Sequence, residues 1–228
     1  MNYYKLNIGN CSPETGTVYP QVQKMNSGYN YNEPNSVYAL ARYYKSFPEF
    51  SPNLDSFVLH RSAKPSDFLS NSIISSVGFL MSGKAKMIFE CCKLTDHKFY
   101  QASVICKNNL INYFWLHYIC NVREFVIYEE SEFNVCMNFT TILGSIKILS
   151  EENLILKEQT LKINNPGHTI SILAKKIILN SSFNKNIDLF KVGKFDIDLY
   201  ISERLMNLIN SNNLTGVEIT PATNIVVL

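Results

Sequence analysis

Leu199-Tyr-Ile-Ser-Glu-Arg-Leu-Met-Asn-Leu-Ile-Asn-Ser-Asn-Asn-Leu-Thr-Gly-Val-Glu-Ile219 is the stretch whose reading decides the fold. A short apolar run ends at Ser202, whose hydroxyl can accept a hydrogen bond from an unpaired amide of a first helical turn. Leu205, Leu208 and Ile209 then recur at helical spacing and give one buried stripe. Asn213 suits the left-handed residue that ends a helix, and Leu214 can fold back on the last turn as in a Schellman closure. Val217 and Ile219 alternate with polar neighbours and start another strand.

The same pattern stands 120 positions earlier. Leu80-Met81-Ser82-Gly-Lys84 matches Tyr200-Ile201-Ser202-Glu-Arg204. Ala85, Ile88 and Phe89 fall where Leu205, Leu208 and Ile209 stand, and Leu94-Thr95 falls on Leu214-Thr215. The match predicts a structural repeat, in which Ser82, Ser202, Asn213 and Gly216 are structural caps. Neither copy needs a substrate, so both explain themselves as folding signals.

Two blocks carry a family resemblance. One is Ser66-Asp67-Phe68-Leu69 followed by Gly78-Phe79-Leu80-Met81-Ser82-Gly-Lys84-Ala85-Lys86. The other is Ile187-Asp188-Leu189-Phe190 followed by Leu199 to Leu205 and Leu214-Thr215-Gly216-Val217-Glu218. Together they resemble bacterial immunity proteins of polymorphic and contact-dependent toxin systems, in the group whose chains end "v-S-e-r-l-k … l-t-G-v-e-f". The resemblance spans Phe57 to Ile219. It implies a role, neutralising a cognate toxin domain by binding it, and leaves the toxin unidentified.

The chain has 228 residues, 46% of them hydrophobic, which supplies a sizeable core. A net charge of +2 is too small to argue for nucleic acid. No run approaches the 18 or so apolar residues of a membrane span, and the N-terminus lacks a signal-peptide core, so a cytoplasmic protein is expected. The six cysteines, Cys11, Cys91, Cys92, Cys106, Cys120 and Cys136, show no CxxC spacing and are expected as buried small apolar residues.

Tyr3 to Ile8 reads as a strand, and Ser12 to Asn35, rich in Pro, Gly, Asn and Tyr, as irregular cover. Tyr29, Tyr31, Tyr38, Tyr43, Tyr44, Phe47 and Phe50 are expected to form a lid on the core; exposed, they would be binding anchors. Phe57-Val58-Leu59 is a strand, and Ser66-Asp67 after Pro65 predicts a helix start. His97 to Cys106 and Ile111 to Cys120, divided by Lys107-Asn108-Asn109, predict an antiparallel meander that Phe125 to Tyr128 extends. Leu143 to Leu149 and Leu154 to Leu156 read as strands around a turn at Ser150 to Asn153. The expectation is one α+β domain with a mainly antiparallel sheet and two similar strand, serine-capped helix, strand units. Residues 1–56 form an aromatic-rich region packed on a 57–228 core.

Charge alternates along the chain. From Glu124 to Glu158 seven acids meet two lysines, and from Lys162 to Lys194 six lysines meet Asp188 alone. The first reading is mutual neutralisation. The sharper one is a partner contact at Glu129, Glu130 and Glu132 that complements a basic toxin cleft.

Catalytic constellations are thin. His60, His97, His117 and His168 are scattered, without a second ligand at i+3 or i+4. Asp196 and Asp198 read as a solvent-facing strand end, and Trp115 as core. Cys91-Cys92 sits on the first repeat helix with no activating base in view. The motifs of phosphate-binding loops, nucleophile elbows and zinc proteases do not occur. The expected function is a non-enzymatic immunity protein with no cofactor, no metal, no nucleic acid and no membrane partner. The alternatives are an enzyme with a non-motif pocket that reverses a toxin modification, or an interaction module unrelated to toxins.

Overall fold

The computed structural model describes residues 2–9, 12–74, 78–119, 122–138 and 140–228. In chain order the elements are β1 (Tyr3–Ile8), β2 (Val22–Met25), α1 (Val37–Leu40), β3 (Phe57–Leu59), β4 (Phe68–Leu69), β5 (Gly78–Ser82), α2 (Gly83–Glu90), β6 (His97–Cys106) and β7 (Asn109–Tyr118). There follow β8 (Glu132–Met137), β9 (Thr141–Ile146), α3 (Glu151–Asn164), β10 (Ile170–Leu179), β11 (Leu189–Phe190), β12 (Tyr200–Ser202), α4 (Glu203–Ser211), β13 (Val217–Pro221) and β14 (Ile225–Val227). The protein is a mixed α and β structure made mostly of strands.

Three sheets hold these strands, in the orders β2-β3-β6-β7-β5-β4, β11-β12-β1-β13 and β14-β10-β8-β9. Pairing is antiparallel except between β3 and β6 and between β10 and β14. The first two sheets share a run of pairings. In one, β5 lies between β4 and β7, with Leu80 opposite both Leu69 and Trp115. In the other, β12 lies between β11 and β1, with Tyr200 opposite both Phe190 and Lys5. His97 at the start of β6 faces Tyr118, and Val217 at the start of β13 faces Ile8. Trp115 and Tyr118 of β7 therefore hold the places of Lys5 and Ile8 of β1. A strand from the beginning of the chain completes the array built near its end.

Both helices of these arrays start as the sequence predicts. The Ser82 Oγ accepts the Ala85 N–H at 3.1 Å, and the Ser202 Oγ accepts the Leu205 N–H at 3.1 Å. Asn213 has φ 50°, and the Leu214 and Asn213 amides donate to the carbonyls of Ile209 and Asn210, both at 3.0 Å, which is a Schellman closure. α2 ends differently, since none of Cys91, Cys92 and Lys93 takes a positive φ. Phe68, Phe79, Met81, Phe89, Leu116, Leu189, Ile201, Leu205, Ile209 and Leu214 form one buried cluster between the two arrays.

Other expectations are corrected. Ser66-Asp67 opens no helix; the chain there leads into β4, because the Asp67 carboxylate is engaged by groups far along the chain. Phe125 to Tyr128 extends no meander. Arg123–Phe125 is a 3-10 turn, and only Val126 makes a bridge, to Leu179. Leu154 to Leu156 lies inside α3, since Ser150 is an N-cap that accepts the Asn153 N–H at 3.1 Å, with Glu151 and Glu152 in the first turn to favour the helix dipole. The Lys107-Asn108 turn has both residues at positive φ, 48° and 70°, as a tight hairpin between β6 and β7 requires.

The N-terminal cover packs on the six-stranded sheet. Val37 and Leu40 of α1 are fully buried among Phe57, Leu80 and Trp115. Tyr29 and Tyr31 are half-buried against the same cluster, with ring centroids 5.1 Å apart, while Tyr38 and Tyr44 stay exposed.

Candidate functional site

Two aspartates hold the arrays together. Asp67 just precedes β4, and its Oδ1 accepts the Ser82 hydroxyl at 2.7 Å. Its Oδ2 accepts the backbone N–H and the hydroxyl of Thr215, at 2.9 and 3.0 Å. Asp188 just precedes β11, and its Oδ1 accepts the Ser202 hydroxyl at 2.5 Å, while its Oδ2 accepts the Lys93 N–H at 2.7 Å. Each carboxylate thus fixes its own array's capping serine and the segment after the other array's helix. Arg204 adds an ion pair to Asp188. Burial pushes the Asp188 carboxyl up, but the hydrogen bonds of Arg204, Ser202 and Lys93 outweigh it and hold it below the usual carboxylate range.

Gly216 completes this junction. At φ +86° it brings its backbone so close to β4 that a Cβ there would stand 2.3 Å from the Phe68 carbonyl oxygen. Ser82, Ser202, Asn213 and Gly216 accordingly sit at helix ends or at the crossing of the two arrays. Both serine hydroxyls are used in capping, and Ser202 is 1% exposed.

The imidazoles are not brought together. His60 lies after β3, where its Nδ1 accepts the Ser62 N–H. His168 lies in the exposed turn before β10. His97, at the start of β6, bonds the Thr95 carbonyl. His117 is fully buried on β7 under Phe47, with ring centroids 5.2 Å apart, and burial and the nearby Lys98 lower its pKa. Trp115 is core, 0% exposed. Of the cysteines, Cys136 is buried, Cys92 and Cys106 are half-buried, and Cys91 is exposed because α2 ends there. Burial raises the Cys92 thiol to about 11, the wrong direction for a nucleophile at neutral pH. Cys11 and Cys120 lie outside the described residues. No group of three or more potential metal ligands occurs among the described residues.

Asp196 and Asp198 are not a solvent-facing strand end. They lie in the segment before β12, and Asp196 is 4% exposed. The Tyr200 hydroxyl donates to Asp196 Oδ1 at 3.2 Å and accepts the Asn224 amide at 2.9 Å. Asp198 pairs with Lys5 of β1 at 2.6 Å. Burial raises the Asp196 carboxyl to about 6. The polar pattern read as exposed turns inward because Val192 and Phe195, just ahead of it, plug the core and draw Asp196 in with them.

Several surface features that are free to meet another molecule lie on the third sheet. Leu154 and Leu161 pack α3 on the sheet, yet Ile155, Leu156 and Ile163 point outward, at 46%, 61% and 77% exposure. At 100° per residue Leu156 and Ile163 fall on the side opposite the packed stripe, and Ile155 on its flank. β9 is an edge strand whose residues from Thr141 to Ser145 are exposed on both faces, Ile142 and Leu143 among them. Glu129, Glu130 and Glu132 are all exposed, but Glu132 is bound to Lys175 of β10 at 2.8 Å. Arg123 with Glu151 and Lys162 with Glu158 neutralise more of the acidic run. Glu129 and Glu130 form no ion pair among the described residues.

A groove of about 240 Å³ indents the surface between α4 and the sheet of β1 and β13. Met206, Ile209, Leu214, Tyr4, Val217 and Ile219 line it. Sequence reasoning missed this groove, which forms only because β1 arrives from the other end of the chain.

No family model matches the chain, and no curated protein matches it. Among the described residues, no helix is long and apolar enough to cross a membrane.

Proposed function

We propose that this chain is an immunity protein that binds a cognate toxin domain and neutralises it by covering the active site or the substrate entry. In this reading the two matching arrays are copies of one scaffold unit, locked to each other by Asp67 and Asp188, and the third sheet carries the binding face. The observation that carries the reading is the outward apolar face of α3. A helix already packed through Leu154 and Leu161 has no internal use for Ile155, Leu156 and Ile163 on its water side. Covering them contributes roughly 25 cal/mol per Å² of apolar surface removed from water.

β9 extends the same argument to backbone. Its free edge offers amides and carbonyls to a partner's extended segment, with no charged side chain between Thr141 and Ile146 to repel it. Glu129 and Glu130 would draw in a basic partner, speeding encounter more than adding affinity.

The test is co-expression with the toxin domain encoded beside this chain. Growth rescue and co-purification are expected. Leu156→Asp with Ile163→Asp should keep the melting temperature and lose both. Failure of the unaltered chain to rescue or to co-purify removes the reading.

A further inference from the structure

We propose that a second surface, built on the aromatic segment between α1 and β3, docks the acidic face of a protein partner other than the toxin. It rests on residues different from those of the α3 and β9 surface. Three lysines from three separated parts of the chain converge there. Lys45 and Lys194 both place their ammonium groups over the Tyr44 ring, 5.5 and 5.6 Å from its centre, and Lys98 lies 5.1 Å from the centre of Phe47. Two of the lysines and Phe47 are positioned by anchored backbone. Lys194 sits between the buried Val192 and Phe195, Lys98 stands on β6 opposite His117, and Phe47 is wedged against His117 beside the buried Pro48.

None of the three lysines forms an ion pair with an acid among the described residues, whereas Lys5, Lys86, Lys162 and Lys175 all do. Glu49 and Asp55 are the two acids on this segment, both exposed, and neither forms an ion pair with the three lysines. The result is three ammonium groups without an acid partner, two of them over the half-exposed Tyr44. His117 beneath adds no charge at neutral pH, since its burial and Lys98 itself disfavour the imidazolium.

The occupant is identified by what the patch leaves free. Ammonium groups already lie over the rings of Tyr44 and Phe47, so a base stacking there, as single-strand nucleic-acid sites need, would have to displace them. What remains available is the outward N–H donors and the tyrosine hydroxyl, the groups that bind carboxylates by charge-assisted hydrogen bonds.

The experiment uses the full chain and a fluorescein-labelled glutamate 20-mer as probe, read by anisotropy at low and at physiological salt. Binding that weakens with salt is expected. Lys45→Glu with Lys194→Glu should weaken it tenfold or more, while Lys84→Glu with Lys185→Glu should change it less than twofold. Lys45→Gln with Lys194→Gln, checked by an unchanged melting curve, guards against misfolding. Equal binding by the unaltered chain and the Lys45/Lys194 variants, or none by the unaltered chain, overturns the proposal. So does tighter binding of a thymidine 20-mer that those variants lose. Toxin rescue by the Lys45/Lys194 variants separates the two readings: it should persist, and its loss would place the patch in the toxin interface and overturn the second-partner proposal.

Discussion

Asp67 and Thr215 are 148 positions apart, and one oxygen of the Asp67 carboxylate accepts both the backbone N–H and the hydroxyl of Thr215. The Phe68 N–H donates back to the Thr215 carbonyl at 3.0 Å, so the two segments are tied through side chain and backbone together. Removing the carboxylate orphans the Thr215 amide and the Ser82 cap at once. Asp67→Ala should lower unfolding stability by about 2–3 kcal/mol, the range for hydrogen bonds to a charged group. Thr215→Val keeps the amide contact and should cost about 1 kcal/mol. Urea denaturation of both and of the pair should show non-additivity; simple addition would mean the contact is not formed.

Two buried aspartates respond to pH in opposite directions. Asp188, held below its ordinary value, contributes stability that is present above about pH 4 and lost as pH falls further. Asp196 is raised from 3.8 to about 6, so the folded state holds its proton while the unfolded chain has released it. Stability should therefore decline as pH rises from about 4 to about 6, by roughly 3 kcal/mol at 1.4 kcal/mol per pKa unit. Asp196→Asn should abolish that decline and leave the acid limb unchanged. A denaturation series showing the same pH profile for both proteins would refute the assignment.

The junction after α4 separates two positions that look alike in sequence. Asn213, at φ 50°, tolerates glycine, and Asn213→Gly should change stability by less than about 0.5 kcal/mol, whereas Asn213→Val should cost about 1–2 kcal/mol because a branched side chain resists that conformation. Gly216→Ala meets the Phe68 carbonyl oxygen and should cost about 2–4 kcal/mol. Thermal unfolding ranks the three.

The two arrays differ where α2 and α4 cross their sheets. Lys86 pairs with Glu90 and sits over Phe99 and Phe114, 5.2 and 5.1 Å from the ring centres. At the matching places stand Met206, Asn210, Ile219 and Tyr4, and there the groove is open. Met206→Lys with Asn210→Glu should transplant the ion pair, with the ammonium over Tyr4, and raise stability by about 0.5–1 kcal/mol. A decrease in melting temperature would show that the two helices sit differently on their sheets.

How much of this was legible depended on how local the cause was. Ser82, Ser202 and Asn213 act on their own helices, so spacing alone revealed them. Asp67 was misread as a helix start because its partners, Ser82 and Thr215, are remote, and a capping residue looks the same whichever amide it serves. α3 was misread because Ile155, Leu156 and Ile163 blur the stripe of Leu154 and Leu161; the residues that carry the proposed binding face are those that hid the helix. Asp196 looked exposed because alternation reports strands, and residues 191–199 are not one. The convergence of Lys45, Lys98 and Lys194 left no trace, since nothing in sequence spacing brings them together.

The place of β1 has a consequence for synthesis. Tyr3–Ile8 leaves the ribosome some two hundred residues ahead of its two neighbours, Tyr200–Ser202 and Val217–Pro221. At the usual 5–20 residues per second, that apolar strand waits roughly ten to forty seconds without a mate. During that interval it is open to any other bare strand in reach, a chaperone's included. A chain stalled before Tyr200 would leave one array finished and the other missing its centre.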